Sequence, residues 1–141
     1  MRRVVITGVG LITALGTGTE KTWKSLLDGD CGINTIESFD TSDQSVHIAG
    51  EVRDFNPEDY IQKKELKKLG RFSQFAIAAS KMALDDAKLD INESNATRVG
   101  VIIGSGIGAL EVIETEIGKM IEKGPKRISP FYIPAVITNM A

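Results

Sequence analysis

Cysteine, histidine and tryptophan each occur only once in this chain of 141 residues. A single cysteine excludes an internal disulfide and fits a reducing compartment, so we expect a cytoplasmic protein. One cysteine and one histidine are also fewer than the three or four clustered ligands that a metal site of this type needs. The sequence therefore predicts neither a disulfide scaffold nor a metal centre.

Long apolar runs and a large excess of one charge are also absent. The apolar run at residues 4–6 ends at Thr7 and Gly8, which makes it too short for a signal sequence or a membrane span. The formal net charge of −2 argues against nucleic-acid binding through a basic surface. We therefore expect neither a membrane nor a nucleic acid as partner.

Cys31 and His47 are the candidates for cysteine-type nucleophilic catalysis. Cys31 lies in the loop GDCGI after a predicted helix, and His47 lies in the possible strand VHIAGEV at residues 46–52. A cysteine nucleophile needs a base or a helix N-terminus nearby, and the local sequence supplies neither. We interpret both residues as structural or surface positions.

The spacing of apolar residues indicates helices that alternate with short strands. Two β-branched runs, at residues 4–6 and 98–106, both end at glycines and predict buried strands. Spacings of three and four predict three helices, over residues 20–28, 71–89 and 109–124. Thr19 is a candidate N-cap for the first helix, and the alanines of the second indicate tight packing against a sheet or another helix. This order predicts the α/β class with a largely parallel sheet.

Glycines are numerous, and the segment GSGIGA at residues 104–109 matches the dinucleotide fingerprint G-x-G-x-x-G/A. That fingerprint requires an acidic residue at the end of a second strand, whereas Glu122 lies inside a predicted helix. The other interpretation is that the glycines let a strand end turn tightly beside its neighbour. An NAD-dependent oxidoreductase therefore stays the minor alternative.

Basic residues are concentrated in two short segments. The larger segment holds Lys63, Lys64, Lys67, Lys68 and Arg71, and the smaller holds Lys126 and Arg127. Such clusters are either a solvated face or a docking site for an acidic partner. The chain ends inside the apolar segment AVITNMA, whereas natural termini are usually exposed and polar, so we expect it to be a piece of a longer protein.

Six collinear segments together resemble the β-ketoacyl-[acyl-carrier-protein] synthases, most closely the synthase II group of bacterial fatty-acid synthesis. They are RRVVITGVGLITALG, TWKSLLDGDCGI, AGEVRDFNPEDYI, KKELKKLGRFSQFAIAAS, RVGVIIGSGIGALE and GPKRISPFYIPAVITNMA. The resemblance implies a thiolase-like αβαβα layered fold, of which residues 1–141 are most of the N-terminal half. It also implies an acyltransferase that lengthens acyl chains by decarboxylative condensation with malonyl-carrier-protein.

In the family, the nucleophilic cysteine and the catalytic histidines and lysine lie beyond the segment that this chain matches, so the resemblance places no catalytic residue here. Cys31 has the wrong context for that role. Substrates are carried on the phosphopantetheine of acyl carrier protein, so no dissociable cofactor is implied. The resemblance also implies a homodimer, and it predicts that the 141-residue chain alone is inactive and poorly stable. A stand-alone carrier-binding module is the alternative, and it predicts a chain that folds alone.

The resemblance also implies roles for particular residues. Ile107 matches the isoleucine that gates the acyl pocket, with Gly106 and Gly108 as its permissive hinge. Tyr132 and Ile133 match positions that line the acyl tunnel near the dimer interface, where the family usually has Phe in place of Tyr132. The basic residues that match the surface for docking of acyl carrier protein are Lys64, Lys67, Lys68, Lys126 and Arg127.

Overall fold

The computed structural model describes residues 2–141, which form five α-helices and two small antiparallel sheets. The helices are α1 (Thr19–Asp28), α2 (Lys63–Leu66), α3 (Arg71–Asp86), α4 (Leu110–Lys123) and α5 (Tyr132–Val136). The sheets pair β1 (Ile12–Thr13) with β2 (Gly16–Thr17) and β3 (Asn34–Thr35) with β4 (Ile48–Ala49). Short 3₁₀ helices cover Pro57–Asp59, Ala96–Arg98, Pro125–Arg127 and Thr138–Met140.

The three helices predicted from apolar spacing are confirmed as α1, α3 and α4, with ends that differ by at most three residues. The predicted N-cap of α1 is wrong, because Gly18 is the cap and Thr19 is the first helical residue. The Thr19 hydroxyl instead donates a hydrogen bond to the carbonyl of Val9, at 2.9 Å. This bond ties the start of α1 to the N-terminal segment.

The two buried strands predicted at residues 4–6 and 98–106 are wrong for this chain. Neither segment belongs to a strand, and most of their apolar side chains are exposed, with Val4 at 93% and Ile102 at 97%, whereas Ile103 is half-buried. A strand exists only where a second strand takes up its backbone hydrogen bonds, and no described residue pairs with these segments. The largely parallel sheet is therefore not formed among residues 2–141, where both sheets are antiparallel.

Helix α3 forms the centre of the packing. Its alanines lie against the N-terminal segment, where a Cβ on Gly10 would overlap the carbonyl oxygen of Ala79. Glycine and alanine together thus allow backbone and helix to approach closely, which confirms the tight packing that the alanines predicted. On another side of α3, Phe75 packs edge-to-face on the buried ring of Phe55, with centroids 5.1 Å apart.

Helix α5 was not predicted, because the C-terminal segment holds three prolines. The structure divides this segment into the 3₁₀ helix Pro125–Arg127, α5 and the 3₁₀ helix Thr138–Met140. Pro134 lies in the first turn of α5, where a missing backbone N–H removes no helical hydrogen bond. The prolines therefore set the boundaries between short helices and do not prevent helix formation.

The carboxylate of Glu51 organises the loop beside β3 and β4. It accepts hydrogen bonds from the backbone N–H groups of Glu37 and Ser38, at 3.0 and 3.2 Å, and pairs with Arg53 at 2.9 Å. Hydrogen bonding to Ser38 first, then to Glu37 and Arg53, lowers the pKa of Glu51 from 4.5 to about 2. The ionised carboxylate is thus the form that holds this loop.

We expect the loop around Glu51 to loosen at acid pH. Since the folded pKa lies below the unfolded value, the stabilisation is complete above pH 4.5 and is lost as the pH falls through about 2. Hydrogen-exchange protection factors of the Glu37 and Ser38 amides measure this loss. The Glu51→Gln variant removes the titrating group, so its protection factors should not change over this range; the same acid-dependent loss in that variant would contradict the assignment.

Candidate acyl-pocket and carrier-docking site

The segment GSGIGA forms a tight turn before α4. The Ser105 hydroxyl accepts a hydrogen bond from the backbone N–H of Gly108 at 3.1 Å, which closes the turn. Gly108 has a φ of +80°, a conformation that favours glycine. A Cβ at this position would also overlap the carbonyl oxygen of Val136, at the end of α5. Gly108 is therefore required by both its backbone conformation and its close contact.

Gly106 and Ile107 have different surroundings from Gly108. A Cβ on Gly106 would meet no atom within 4 Å among the described residues, and its φ is not positive. The Ile107 side chain is 69% exposed. The structure thus places Ile107, the predicted gate residue, on an exposed turn. Gly108, which lies against Val136, is the fixed end of this turn, and Gly106, which has space around it, is the open end. The roles of gate and hinge stay predictions.

This turn bears on the nucleotide-binding alternative. A phosphate cradle needs free backbone N–H groups that point at the ligand. In the structure, the N–H of Gly108 is taken by the Ser105 hydroxyl. The turn also ends in Ala109, which is fully buried against Gly70. Gly108 is therefore accounted for by its φ and by its packing against the end of α5, whereas a Cβ on Gly104 or Gly106 would meet no described atom within 4 Å.

The start of α4 is joined to the start of α3 through Glu111. The Glu111 carboxylate accepts a hydrogen bond from the backbone N–H of Arg71, the first residue of α3, at 3.0 Å. A negative charge at a helix N-terminus interacts favourably with the helix dipole. This contact fixes the basic segment before α3 relative to α4.

A cleft with a volume of about 260 Å³ lies where these helices meet α5. It is lined by Lys67, Leu69, Glu111, Val112, Thr115, Glu116, Ser129, Phe131, Tyr132 and Ala135. The cleft thus combines an apolar wall with charged side chains at its rim. Tyr132 is half-buried in this wall, whereas Ile133, the next residue of α5, is 59% exposed.

Of the predicted docking lysines, Lys67 lines this cleft and Lys68 contacts Phe131, which also lines it. Lys64 and Lys67 are exposed, and neither forms a salt bridge with any of residues 2–141. Lys68 pairs with Glu65 at 3.0 Å, and its ammonium lies 5.9 Å from the centroid of the Phe131 ring. That cation–π contact links the segment before α3 to the segment that follows Arg127.

Lys126 and Arg127 are both exposed, on the 3₁₀ helix that follows α4. This 3₁₀ helix packs against α4 and is followed directly by Ser129 and Phe131, which line the cleft. Phe131, four residues after Arg127, contacts Lys68 of the other basic segment, so the two segments are linked through this ring. Nearly sixty residues separate them in the sequence, and spacing along the chain did not show this link.

Glu116 is a buried carboxylate that the sequence analysis missed. It is 5% exposed, pairs with Lys119 at 2.6 Å and accepts a hydrogen bond from the backbone N–H of Ser129 at 2.7 Å. The hydrogen bond from Lys119, and then that from Ser129, lower the pKa of Glu116. Glu116 therefore stays ionised and anchors the segment that carries Lys126 and Arg127. Its spacing of three from Lys119 was the available signal.

The remaining candidates for chemistry lie apart from this surface. Cys31 is exposed, and its thiol lies 3.8 Å from the carbonyl of Ile33. His47 contacts the Thr41 hydroxyl at 3.2 Å. No group of three or more His, Cys, Asp or Glu residues suited to a metal occurs within the described part of the chain. Within that same part, no helix is long and apolar enough to cross a membrane.

The class of protein follows from the comparison of the whole chain with known families and structures. The family model for the N-terminal domain of β-ketoacyl synthases matches residues 1–141, and the chain belongs to that family. Solved ketosynthases have the same fold, which confirms the thiolase-like α/β class. One is the ishigamide ketosynthase/chain length factor, with a TM-score of 0.80 and 32% identity over 96% of this chain and 34% of the other.

Two further proteins are similar to this chain over nearly its whole length. The chain is 50% identical, over 139 residues, to 3-oxoacyl-[acyl-carrier-protein] synthase 2 of Vibrio cholerae serotype O1, covering 99% of this chain and 34% of the relative. A type II polyketide ketosynthase solved in complex with its acyl carrier protein has a TM-score of 0.78 and 25% identity, over 99% of this chain and 36% of the other. The chain thus spans about a third of the length of the relatives it matches.

Proposed function

We propose that the full-length protein containing this chain is a 3-oxoacyl-[acyl-carrier-protein] synthase of fatty-acid biosynthesis. The observation that carries this proposal is 50% identity over 99% of the chain to a curated synthase 2. The membership of the whole chain in the β-ketoacyl synthase family supports it. This chain contributes the acyl-pocket turn and the carrier-docking surface.

The proposed reaction is a decarboxylative Claisen condensation. A cysteine thiolate outside this chain attacks the thioester carbonyl of the acyl-carrier-protein, takes the acyl group as a new thioester and releases the phosphopantetheine thiolate of the carrier. Malonyl-carrier-protein loses carbon dioxide, and the carbanion attacks the thioester carbonyl while the thiolate leaves. The new C–C bond lengthens the acyl chain by two carbons. No residue of this chain is assigned to the chemical step, so we expect the 141-residue chain alone to be inactive.

The docking role rests on the surface beside Phe131. Lys67 lines the cleft there without a salt bridge to any of the described residues, and Lys68 lies over the Phe131 ring. Lys126 and Arg127, on the 3₁₀ helix that precedes Phe131 in the chain, are exposed and add positive charge. An acidic carrier protein is attracted to such a surface by long-range electrostatics. Because the carrier brings its substrates on phosphopantetheine, we propose that the enzyme uses no dissociable cofactor.

The acyl pocket is proposed to include Ile107, Tyr132 and Ile133. Gly108 contacts Val136, so the turn that carries Ile107 lies against the helix that carries the other two residues. Ile107 and Ile133 are 69% and 59% exposed, which leaves both free to contact an acyl chain or a second subunit. We propose a homodimer, in which these apolar side chains are covered, and a cytoplasmic location, which fits the exposed thiol of Cys31.

An elongation assay tests the proposed function. The full-length protein is incubated with an acyl-carrier-protein and malonyl-carrier-protein, and the products are analysed by mass spectrometry. We expect a 3-oxoacyl product two carbons longer and one carbon dioxide per condensation. Release of carbon dioxide without elongation, or no reaction at all, would contradict the proposal. Carrier binding without any reaction would favour a binding module, and binding of NAD would favour the oxidoreductase alternative.

A further inference from the structure

A second basic concavity lies next to the proposed docking surface. It has a volume of about 540 Å³ and is lined by Lys119, Lys123 and Arg127. Lys119 and Lys123 are four residues apart on α4 and therefore lie on one face of that helix. The 3₁₀ helix after Gly124 folds back on α4 and brings Arg127 to the same face. Three cationic side chains thus converge on one surface region.

The carboxylates of α4 neutralise this region only in part. Glu116 is buried and pairs with Lys119 at 2.6 Å. Glu122 is exposed and forms no salt bridge with any of residues 2–141, and the same is true of Lys123 and Arg127. The concavity therefore keeps positive charge available for an acidic ligand.

Glu116 joins this concavity to the cleft that Phe131 lines. Glu116, Ser129 and Lys67 all line that cleft. The Glu116 carboxylate accepts hydrogen bonds from Lys119, which lines the concavity, and from the backbone of Ser129, which lines the cleft. A single buried carboxylate thus connects the two regions, and Arg127, a proposed docking residue, lines the concavity.

We propose that Lys119 and Lys123 extend the docking surface and bind carboxylates on a second acidic segment of the carrier protein. This inference rests on the proposed function, because it takes the carrier protein as the partner. Charge complementarity and continuity with Lys67 and Arg127 favour that partner. Glu116 is a positioning residue in this arrangement, since it orients Lys119 and anchors the segment that carries Arg127.

Binding of the carrier protein to the full-length protein tests the proposal. Lys123→Glu leaves the Glu116–Lys119 pair intact, and we expect it to raise the Kd for the unacylated holo carrier protein by about three- to tenfold at low salt. The double variant Lys119→Gln/Lys123→Glu should raise it further. Lys24→Glu is the matched control, because Lys24 is an exposed lysine of α1 that lies outside the concavity.

The outcomes separate this inference from the proposed function. An unchanged Kd for Lys123→Glu and for the double variant, with weaker binding of Lys67→Glu/Lys68→Glu, would overturn the extension and leave the docking surface in place. An equal loss of affinity in Lys24→Glu would also overturn it, because net charge would then explain the effect. Unchanged affinity for the carrier protein in all of these variants would overturn both the extension and the docking surface itself.

Discussion

Replacing Gly108 with alanine is expected to lower the free energy of unfolding of the full-length protein by about 2–4 kcal/mol. Two causes act together. The residue has a φ of +80°, which costs an L-residue about 1–2 kcal/mol, and the added Cβ overlaps the carbonyl oxygen of Val136. Relief of that overlap requires α4 and the end of α5 to separate. Thermal and urea denaturation measure the loss.

Gly106→Ala is the matched control within the same turn. Its Cβ meets no described atom within 4 Å, so we expect a change in stability within about 0.5 kcal/mol. If the turn moves as Ile107 opens the acyl pocket, Gly106→Ala should slow elongation while the melting temperature stays the same. Equal destabilisation by the two substitutions would contradict the assignment of Gly108 as the fixed end of the turn.

Reversing the charges of Lys67 and Lys68 together is expected to raise the Kd for acyl carrier protein by about 10- to 100-fold at low salt. Each substitution removes an attraction and adds a repulsion at a surface where Lys67 forms no salt bridge within residues 2–141. The effect should be mainly on the association rate and should decrease as salt is added. Titration calorimetry and stopped-flow fluorescence measure the two quantities.

The single variants refine this expectation. Lys68 already pairs with Glu65 and contacts the Phe131 ring, whereas Lys67 is exposed at the rim of the cleft. Lys67→Glu should therefore change affinity without affecting stability, and Lys68→Glu should also loosen the contact with Phe131. Unchanged carrier affinity in the double variant, with its melting temperature preserved, would contradict the docking role.

The helices of this chain could be predicted from sequence because their signals are local. The apolar spacing and the terminal glycine that predict α1 and α4 involve only residues that are close together along the chain. The strands predicted at residues 4–6 and 98–106 depend instead on distant pairing partners, and their β-branched composition could not show whether those partners are present. Most apolar residues at these positions are exposed in the structure.

In the candidate site, too, features with a local sequence signal were predicted and features that depend on distant contacts were not. Gly106, Ile107 and Gly108 were found as a motif because they are consecutive, and the basic segments were found from local charge. Their relative placement in the fold depends on long-range contacts such as Arg71 with Glu111 and Ser129 with Glu116. A buried carboxylate on an amphipathic helix looks like any exposed glutamate in the sequence, so Glu116 could be identified only from the structure.

The proposed docking surface binds the carrier protein itself, rather than only the acyl group that the carrier bears. The most direct measurement compares kcat/KM of the full-length protein for malonyl groups on the carrier protein and on coenzyme A, at low and high salt. We predict that the carrier-bound donor is preferred at low salt and that its kcat/KM falls by about tenfold or more at high salt. Equal values for the two donors, or a salt response that is the same for both, would contradict the proposed docking of the carrier protein.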